Sequence, residues 1–260
     1  SVLDVRPRRP ALLQHLGSTL ARLDAALEGS DHPLLDRDHP WDPARAGWLA
    51  GAVGFLERGP VRERVAAVVA RWPVRARRGE GLPTAVIHGD ANDHNLVAEG
   101  VADPRRIAGI FDFGDMVRTR RVCEVAIASA YAAFGARDAV GAIADVVAGY
   151  HGVTPLLDDE IAVMGDLVRA RLSTSVVVAA RRGRERPDDP YVTVSQASAW
   201  TVLRALDAVD PRWVTARLRD ACGQPPFPSG PRVTEWLRAR ADAGLVAPIL
   251  DRPLEGDHVL

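Results

Sequence analysis

The sequence predicts a mostly helical α+β protein, and three observations carry that prediction. Apolar residues recur at three- and four-residue steps through most of the chain, a short central stretch switches to β-branched runs, and Gly, Pro and Asp breaks separate the helical segments. In the first helix, Ala11 to Leu27, the residues Leu12, Leu13, Leu16, Leu20, Leu23 and Leu27 line one face. A loop rich in Asp, His and Pro runs from Gly29 to Pro43, and the segment after it holds Gly47, Gly51 and Gly54. These glycines match neither G-x-G-x-x-G nor the GxxxxGK phosphate loop and follow no strand, so they read as close packing between helices. Val61 to Trp72 reads as an amphipathic helix stopped by Pro73. Thr84 to Ile87, Asn95 to Ala98 and Arg106 to Phe111 read as strands, with the turn-like EGVADP joining the last two into a hairpin. Helical periodicity returns at 122–134, 137–150, 158–182, 193–208, 211–221 and 231–243, and CGQPPFPSGP at 222–231 is the linker-like stretch.

Composition narrows the function classes. The 260 residues are 47% hydrophobic and 26% charged with a formal net charge of −1, which excludes disordered and collagen-like chains and offers no surplus charge for a nucleic-acid surface. All 33 basic residues are arginine. A lysine Schiff base, a lysine phosphate clamp and a lysine general base are therefore excluded within this chain. The runs Arg75 to Arg78 and Arg181 to Arg186 read as solvated helix ends. Cys123 and Cys222 form no CxxC pair and no zinc-type spacing, so a reduced, cytoplasmic setting is expected. The N-terminal stretch has no apolar signal-peptide core, and no apolar run approaches the roughly 18 residues that a membrane span needs.

The chemistry-bearing residues cluster at the strands. Residues 88–95 read His-Gly-Asp-Ala-Asn-Asp-His-Asn, and residues 112–115, after the third strand, read Asp-Phe-Gly-Asp. Phosphoryl transfer needs a carboxylate within reach of the acceptor hydroxyl, and oxygen ligands for the metal that neutralises nucleotide phosphates. Asp90 fits the first role; Asn95 and Asp112, from opposite ends of a hairpin, fit the second. A competing reading makes His88, Asp90 and His94 the ligands of a transition metal in a hydrolase. It leaves the downstream Asp-Phe-Gly-Asp without a role.

The segment VIHGDANDHNLV followed by IAGIFDFGDM resembles the catalytic core of the aminoglycoside phosphotransferase and choline kinase family, whose fold is similar to that of protein kinases. The run from FGDM to VCEVAIASAY resembles in particular its hydroxylysine kinase-like branch. The resemblance implies Asp90 as the catalytic aspartate, Asn95 and Asp112 as the nucleotide-site ligands of Mg2+, and ATP or GTP as co-substrate. It implies a small acceptor carrying an amine and a hydroxyl: an amino alcohol, a hydroxylated amino acid or an aminoglycoside-like compound. His88 then supports the catalytic loop and Glu124 anchors it to the following helix. Asp115, Asp93, Trp41 and Asp42 are candidates for the substrate side, and Asp115 and Asp166 are acids that would favour a cationic amine. Arg118, Arg120 and Arg121 read as salt-bridge residues.

A kinase of this family also carries a small β-rich lobe whose strand lysine grips the nucleotide phosphates. The 87 residues before His88 read as helices and loops and contain no lysine. The expectation is a protein-kinase-like C-terminal lobe over residues 1–222 with the N-terminal nucleotide lobe absent. Residues 223–260 would then hold a linker, a terminal helix and the possible start of a following domain. The nucleotide lobe would lie upstream in a longer multidomain protein or arrive in trans, and a fused aminotransferase is a possible neighbour. The alternative is a non-catalytic, pseudokinase-like scaffold.

Overall fold

The computed structural model describes residues 1–100, 103–185 and 191–239, and among them nine α-helices and four short strands. Helix α1 (Pro10–Ala26) buries Leu12, Leu13, Leu16 and Leu20 along α5 (Ala139–His151). The two backbones nearly touch: a Cβ on Gly149 would overlap the Gln14 carbonyl, and one on Gly17 the Val146 carbonyl. Helix α4 (Val122–Ala132) is apolar and buried around almost its whole circumference, as expected of a helix with neighbours on every side. It lies between α1, α5 and the long α6 (Asp158–Glu185), which also carries α7 (Tyr191–Asp207) and α8 (Pro211–Ala221). Among the described residues, no helix is long and apolar enough to cross a membrane.

Two corrections concern helices. Helix α3 (Pro60–Arg78) does not stop at Pro73 but runs through it to a Gly79 cap. An interior proline costs roughly 3 kcal/mol, and burial of Val65, Val68 and Trp72 along the same helix offsets that cost. The glycine-rich stretch forms short turns around α2 (Leu49–Ala52). There, Gly47 meets Trp72 while a Cβ on Gly51 or Gly54 would meet nothing, so close packing is not what two of these three provide. The terminal helix α9 spans Gly230–Arg238, and the rest of the span expected to 243 lies, from residue 240 on, outside the described residues.

The strands form two antiparallel pairs. β2 (Leu96–Ala98) pairs with β3 (Ile107–Ile110), the hairpin expected from sequence. β1 (Thr84–Ile87) is not alone, because β4 (Val117–Arg120) pairs with it in the register Thr84 to Arg120 and Ile87 to Val117. Val117 and Thr119 face inward while Arg118 and Arg120 face outward, the period-2 alternation of a half-buried strand. The two pairs bring the end of β1, the start of β2, the end of β3 and the start of β4 to one place.

Candidate active site

The loop from His88 to Asn95 leaves β1, and its shape is set by contacts that its own residues make. Gly89 has φ +78, and a Cβ there would lie 2.5 Å from the Asp115 carbonyl oxygen, so both the turn and the close approach require glycine. Its amide donates to Glu124 Oε2 at 3.1 Å, which ties the loop to the first turn of α4. His88 is fully buried and joins this loop to the next one. The Asp90 amide donates to its Nδ1 at 3.3 Å, while its Nε2 meets the Phe111 carbonyl at 3.1 Å. An amide can only donate and a carbonyl can only accept, so Nε2 carries the proton. The Phe113 ring stands edge-on to the imidazole at 4.9 Å. With both nitrogens engaged by backbone, His88 has no lone pair for a metal, and His94 is exposed; the hydrolase reading loses its ligands. Among the described residues, no group of three or more His, Cys, Asp or Glu is arranged to hold a metal ion.

Asp90 is where the contacts converge. Its Oδ2 accepts from Asn92 Nδ2 at 2.8 Å and from Asn95 Nδ2 at 3.0 Å, and its Oδ1 accepts from Arg171 at 2.8 Å. Burial pushes its carboxyl above the ordinary value; Arg171 and Asn92 oppose that shift, the Asp115 charge adds to it, and His88 opposes it. Arg171, from the middle of α6, is itself only 2% exposed. Its guanidinium also donates to the Trp41 carbonyl at 3.1 Å and the Tyr131 hydroxyl at 3.1 Å, and it lies over the Trp41 ring at 4.5 Å and the Tyr131 ring at 5.4 Å. A buried arginine so placed is a fixed countercharge for Asp90.

Asn95 donates its amide hydrogens to the Asp90 carbonyl and carboxylate, and among the described residues no donor reaches its Oδ1. Asp112 follows Phe111, whose amide donates to the Asn95 carbonyl at 3.1 Å, so the two residues are joined through one backbone bond. Asp112 has φ 65, a left-handed conformation that aspartate tolerates better than most residues, and its exposed carboxylate accepts from the Gly114 amide at 3.4 Å. His39 Nε2 donates to Asp115 Oδ1 at 3.1 Å, and Arg37 donates to the Gly114 carbonyl at 2.8 Å. The loop after α1 thus straps the Asp-Phe-Gly-Asp turn.

The other residues singled out from sequence go elsewhere. Asp93 is buried and ion-paired with Arg8 at 2.6 Å, so it anchors the N-terminal segment rather than facing a ligand. Asp42 is buried, caps the following turn through the Ala44 amide at 2.9 Å, and has no free face. Among the described residues, Trp41 meets the site through Arg171. Asp166 pairs with Arg75 between α3 and α6, away from the hairpin. Arg118 and Arg121 form ion pairs with Asp36 at 3.1 Å and Glu160 at 2.6 Å. Behind the site, the Tyr150 hydroxyl donates to Asp24 at 2.7 Å; burial, and then the Glu124 charge, push the Asp24 carboxyl up to about 9. Burial likewise pushes the Glu124 carboxyl up, against the pull of His88 and of the Gly89 and His88 backbone, and the Asp90 charge adds to the rise.

A mostly helical α+β body with this paired-loop hairpin is a kinase-like class of fold. The family model described as phosphotransferase enzyme family (APH) matches residues 2–167, and the chain belongs to that family. Hydroxylysine kinase of Mus musculus is 30% identical over 208 residues, covering 75% of this chain and 54% of the relative. Hydroxylysine kinase of Danio rerio is 29% identical over 216 residues, covering 78% of this chain and 61% of the relative. Among solved structures, amicoumacin kinase hAmiN in complex with AMP-PNP, Ca2+ and Ami is similar in fold, with a TM-score of 0.52 at 14% identity over 78% of this chain and 61% of that one. The chain therefore spans about 54% to 61% of the length of these proteins.

Proposed function

We propose that this chain is the acceptor-side, catalytic lobe of a small-molecule kinase that transfers the γ-phosphoryl group of ATP or GTP to a hydroxyl of an amino alcohol or hydroxylated amino acid. The observation that carries the reading is the hydrogen bonding of Asp90. Its Oδ2 already accepts two amide donors, whereas among the described residues Oδ1 accepts Arg171 alone. A carboxylate oxygen has two lone pairs, so Oδ1 retains one for the proton of an acceptor hydroxyl. Asn92, Asn95 and Arg171 hold that oxygen in place before substrate arrives.

The donor set fits a hard divalent cation. Asn95 offers a neutral amide oxygen with its N–H groups turned toward Asp90, and Asp112 offers an exposed carboxylate. Mg2+ prefers one or two protein oxygens and completes its shell with water and phosphate. When bound, it supplies neutralisation of the nucleotide phosphates. The names of the relatives support the acceptor class, and AMP-PNP with Ca2+ in the kinase of similar fold supports a nucleotide and a divalent metal. The lysine that grips nucleotide phosphates in such kinases has no counterpart in these 260 residues. On this reading a strand-rich, lysine-bearing nucleotide lobe completes the site, in the same polypeptide or in trans.

The test is phosphate transfer from labelled ATP and GTP, with Mg2+, to ethanolamine, hydroxylysine and choline-like acceptors, using the longest natural polypeptide that contains this sequence. Asp90→Ala should lower turnover about 10²- to 10⁴-fold, the usual contribution of a positioned general base, with the circular dichroism spectrum unchanged. Turnover retained by Asp90→Ala, or none with any amine acceptor in the wild type, would refute the assignment.

A further inference from the structure

A cleft of about 410 Å³ opens between the C-terminal half of α3, the N-terminal half of α6 and the start of α8, and its walls carry Arg71, Arg75, Arg78, Arg169 and Arg212 against the single acid Asp166. It shares no residue with the Asp90 hairpin. The arginines on α3 follow one another at four and three residues, so they form a stripe along one helix face. At 1.5 Å rise per residue the stripe is about 10 Å long, too long for one tetrahedral anion and suited to two in tandem. Like charges at this spacing repel, and a helix gains nothing from them without an external anion.

The acids nearby pair with three of the five arginines and leave Arg71 and Arg78. Asp166 is taken by Arg75. Asp207, behind the wall, is shared between Arg64 at 2.8 Å and Arg169 at 3.6 Å, and Asp210 pairs with Arg212 at 2.9 Å. Among the described residues, Arg71 and Arg78 have no ion-pair partner. Burial pulls the Arg75 guanidinium below its ordinary value, Asp166 opposes this, and the charges of Arg169, Arg71 and Arg78 deepen it. The floor is preorganised. Arg169 is only 4% exposed and is fixed by donating to the Gly165 carbonyl at 3.1 Å and the Leu206 carbonyl at 2.8 Å. Ala70, Val74, Ala162 and Pro211 add an apolar strip beside the charges, and Val74 is 55% exposed on it. The volume falls within the range of small-ligand sites.

We propose that this cleft is a binding site for a small diphosphate-type anion, two linked phosphoryl groups bridging Arg71 and Arg78 over Arg75, with an apolar body resting against Val74 and Pro211. Planar guanidinium groups recognise phosphoryl oxygens by paired hydrogen bonds, which is the chemistry that Arg71 and Arg78, free of ion pairs among the described residues, provide.

Calorimetric titration with inorganic pyrophosphate, in EDTA so that metal–nucleotide binding is silent, tests the proposal; ADP as a second titrant reads the contribution of an organic body. Saturable one-to-one binding is expected, weakened roughly tenfold or more by Arg71→Ala/Arg78→Ala and unchanged by Asp112→Asn or by the control pair Arg181→Ala/Arg184→Ala. Because removing Arg71 and Arg78 relieves repulsion, the double variant should melt no lower than wild type in low salt, and pyrophosphate should raise the melting temperature of wild type only. Three results overturn the proposal: no saturable binding to wild type, an equal loss in the control pair, or full binding retained by Arg71→Ala/Arg78→Ala, which places the anion elsewhere.

Discussion

Replacing Arg171 with methionine separates charge from packing at Asp90. Methionine keeps much of the aliphatic volume between Trp41 and Tyr131 but removes the guanidinium and its hydrogen bonds to Asp90, the Trp41 carbonyl and the Tyr131 hydroxyl. Breaking a buried ion pair by deleting one partner costs about 3–5 kcal/mol. The Asp90 side chain retains 19% exposure, which places its share at the low end, about 3 kcal/mol. The penalty depends on pH. Asp90 already has a raised carboxyl, and Arg171 is the main group opposing that rise, so its loss raises the folded-state value further. A carboxyl raised on folding gives stability at low pH that is lost as pH rises through the folded value. The gap between wild type and Arg171→Met should therefore widen with rising pH, by at most about 1.4 kcal/mol per pH unit. At low pH, where Asp90 is neutral in both proteins, only the loss of the two other hydrogen bonds should remain, about 1–2 kcal/mol. Urea unfolding from pH 4 to 8, with a carbon-13 NMR titration of the Asp90 carboxyl assigned through Asp90→Asn, measures both quantities. A gap that stays flat with pH, with the Asp90 titration unmoved, would show that Arg171 contributes packing alone.

Two further perturbations probe the frame around the site. Asp24, pushed up to about 9 from 3.8, binds a proton in the folded state that the unfolded chain has released, so stability falls as pH rises between those values. Asp24→Asn keeps an acceptor for Tyr150 and removes the titration; it should melt above wild type at pH 8, by roughly 2–4 °C per kcal/mol relieved, with the advantage disappearing near pH 4. An equal advantage at both pH values would sink the buried-proton assignment. Gly149→Ala forces a Cβ into the Gln14 carbonyl and should cost about 2–3 kcal/mol through separation of α1 and α5, whereas Gly51→Ala meets nothing and should be neutral or slightly stabilising. Equal shifts in their urea midpoints would contradict the close approach of the two helices.

Much of the fold is legible because helices repeat their apolar residues at a spacing that survives local noise. The leucines of α1 and the apolar run of α4 need no tertiary information to be read. Local rules fail where packing overrides them. Pro73 breaks one bond in a helix whose buried Val65, Val68 and Trp72 hold it on its course. Strand β4 escapes notice because it is four residues long and half arginine; its Val117 and Thr119 become a strand only against β1. The glycines conspicuous in sequence, Gly51 and Gly54, are open to solvent or space, while Gly17 and Gly149, isolated within α1 and α5, are the ones that backbone contact requires. A glycine's role depends on what lies opposite it, and that residue is far away in sequence.

The same distance separates the legible half of the site from the rest. Asp90, Asn95 and Asp112 stand in one short hairpin, so spacing alone brings them together. Arg171 meets Asp90 across 81 residues, and His39 meets Asp115 across 76. A trace of Arg171 is present in the sequence of α6, where it occupies the stripe of Leu167, Val168 and Leu172, all buried, a place that a solvated arginine would not take. Its position also changes how acceptor selectivity must work on the proposed reading. With a guanidinium already against Asp90, a cationic amine gains little from that carboxylate and is repelled by its partner. Asp166, the other acid that sequence offered for this task, is bound to Arg75 in the α3–α6–α8 cleft. Asp115 remains: its side chain is 40% exposed, its charge is felt at Asp90, and His39 steadies it from the buried side. On the proposed reading, an amine held at Asp115 would bring the acceptor hydroxyl toward Asp90, and the strap carrying His39 would then take part in substrate selection.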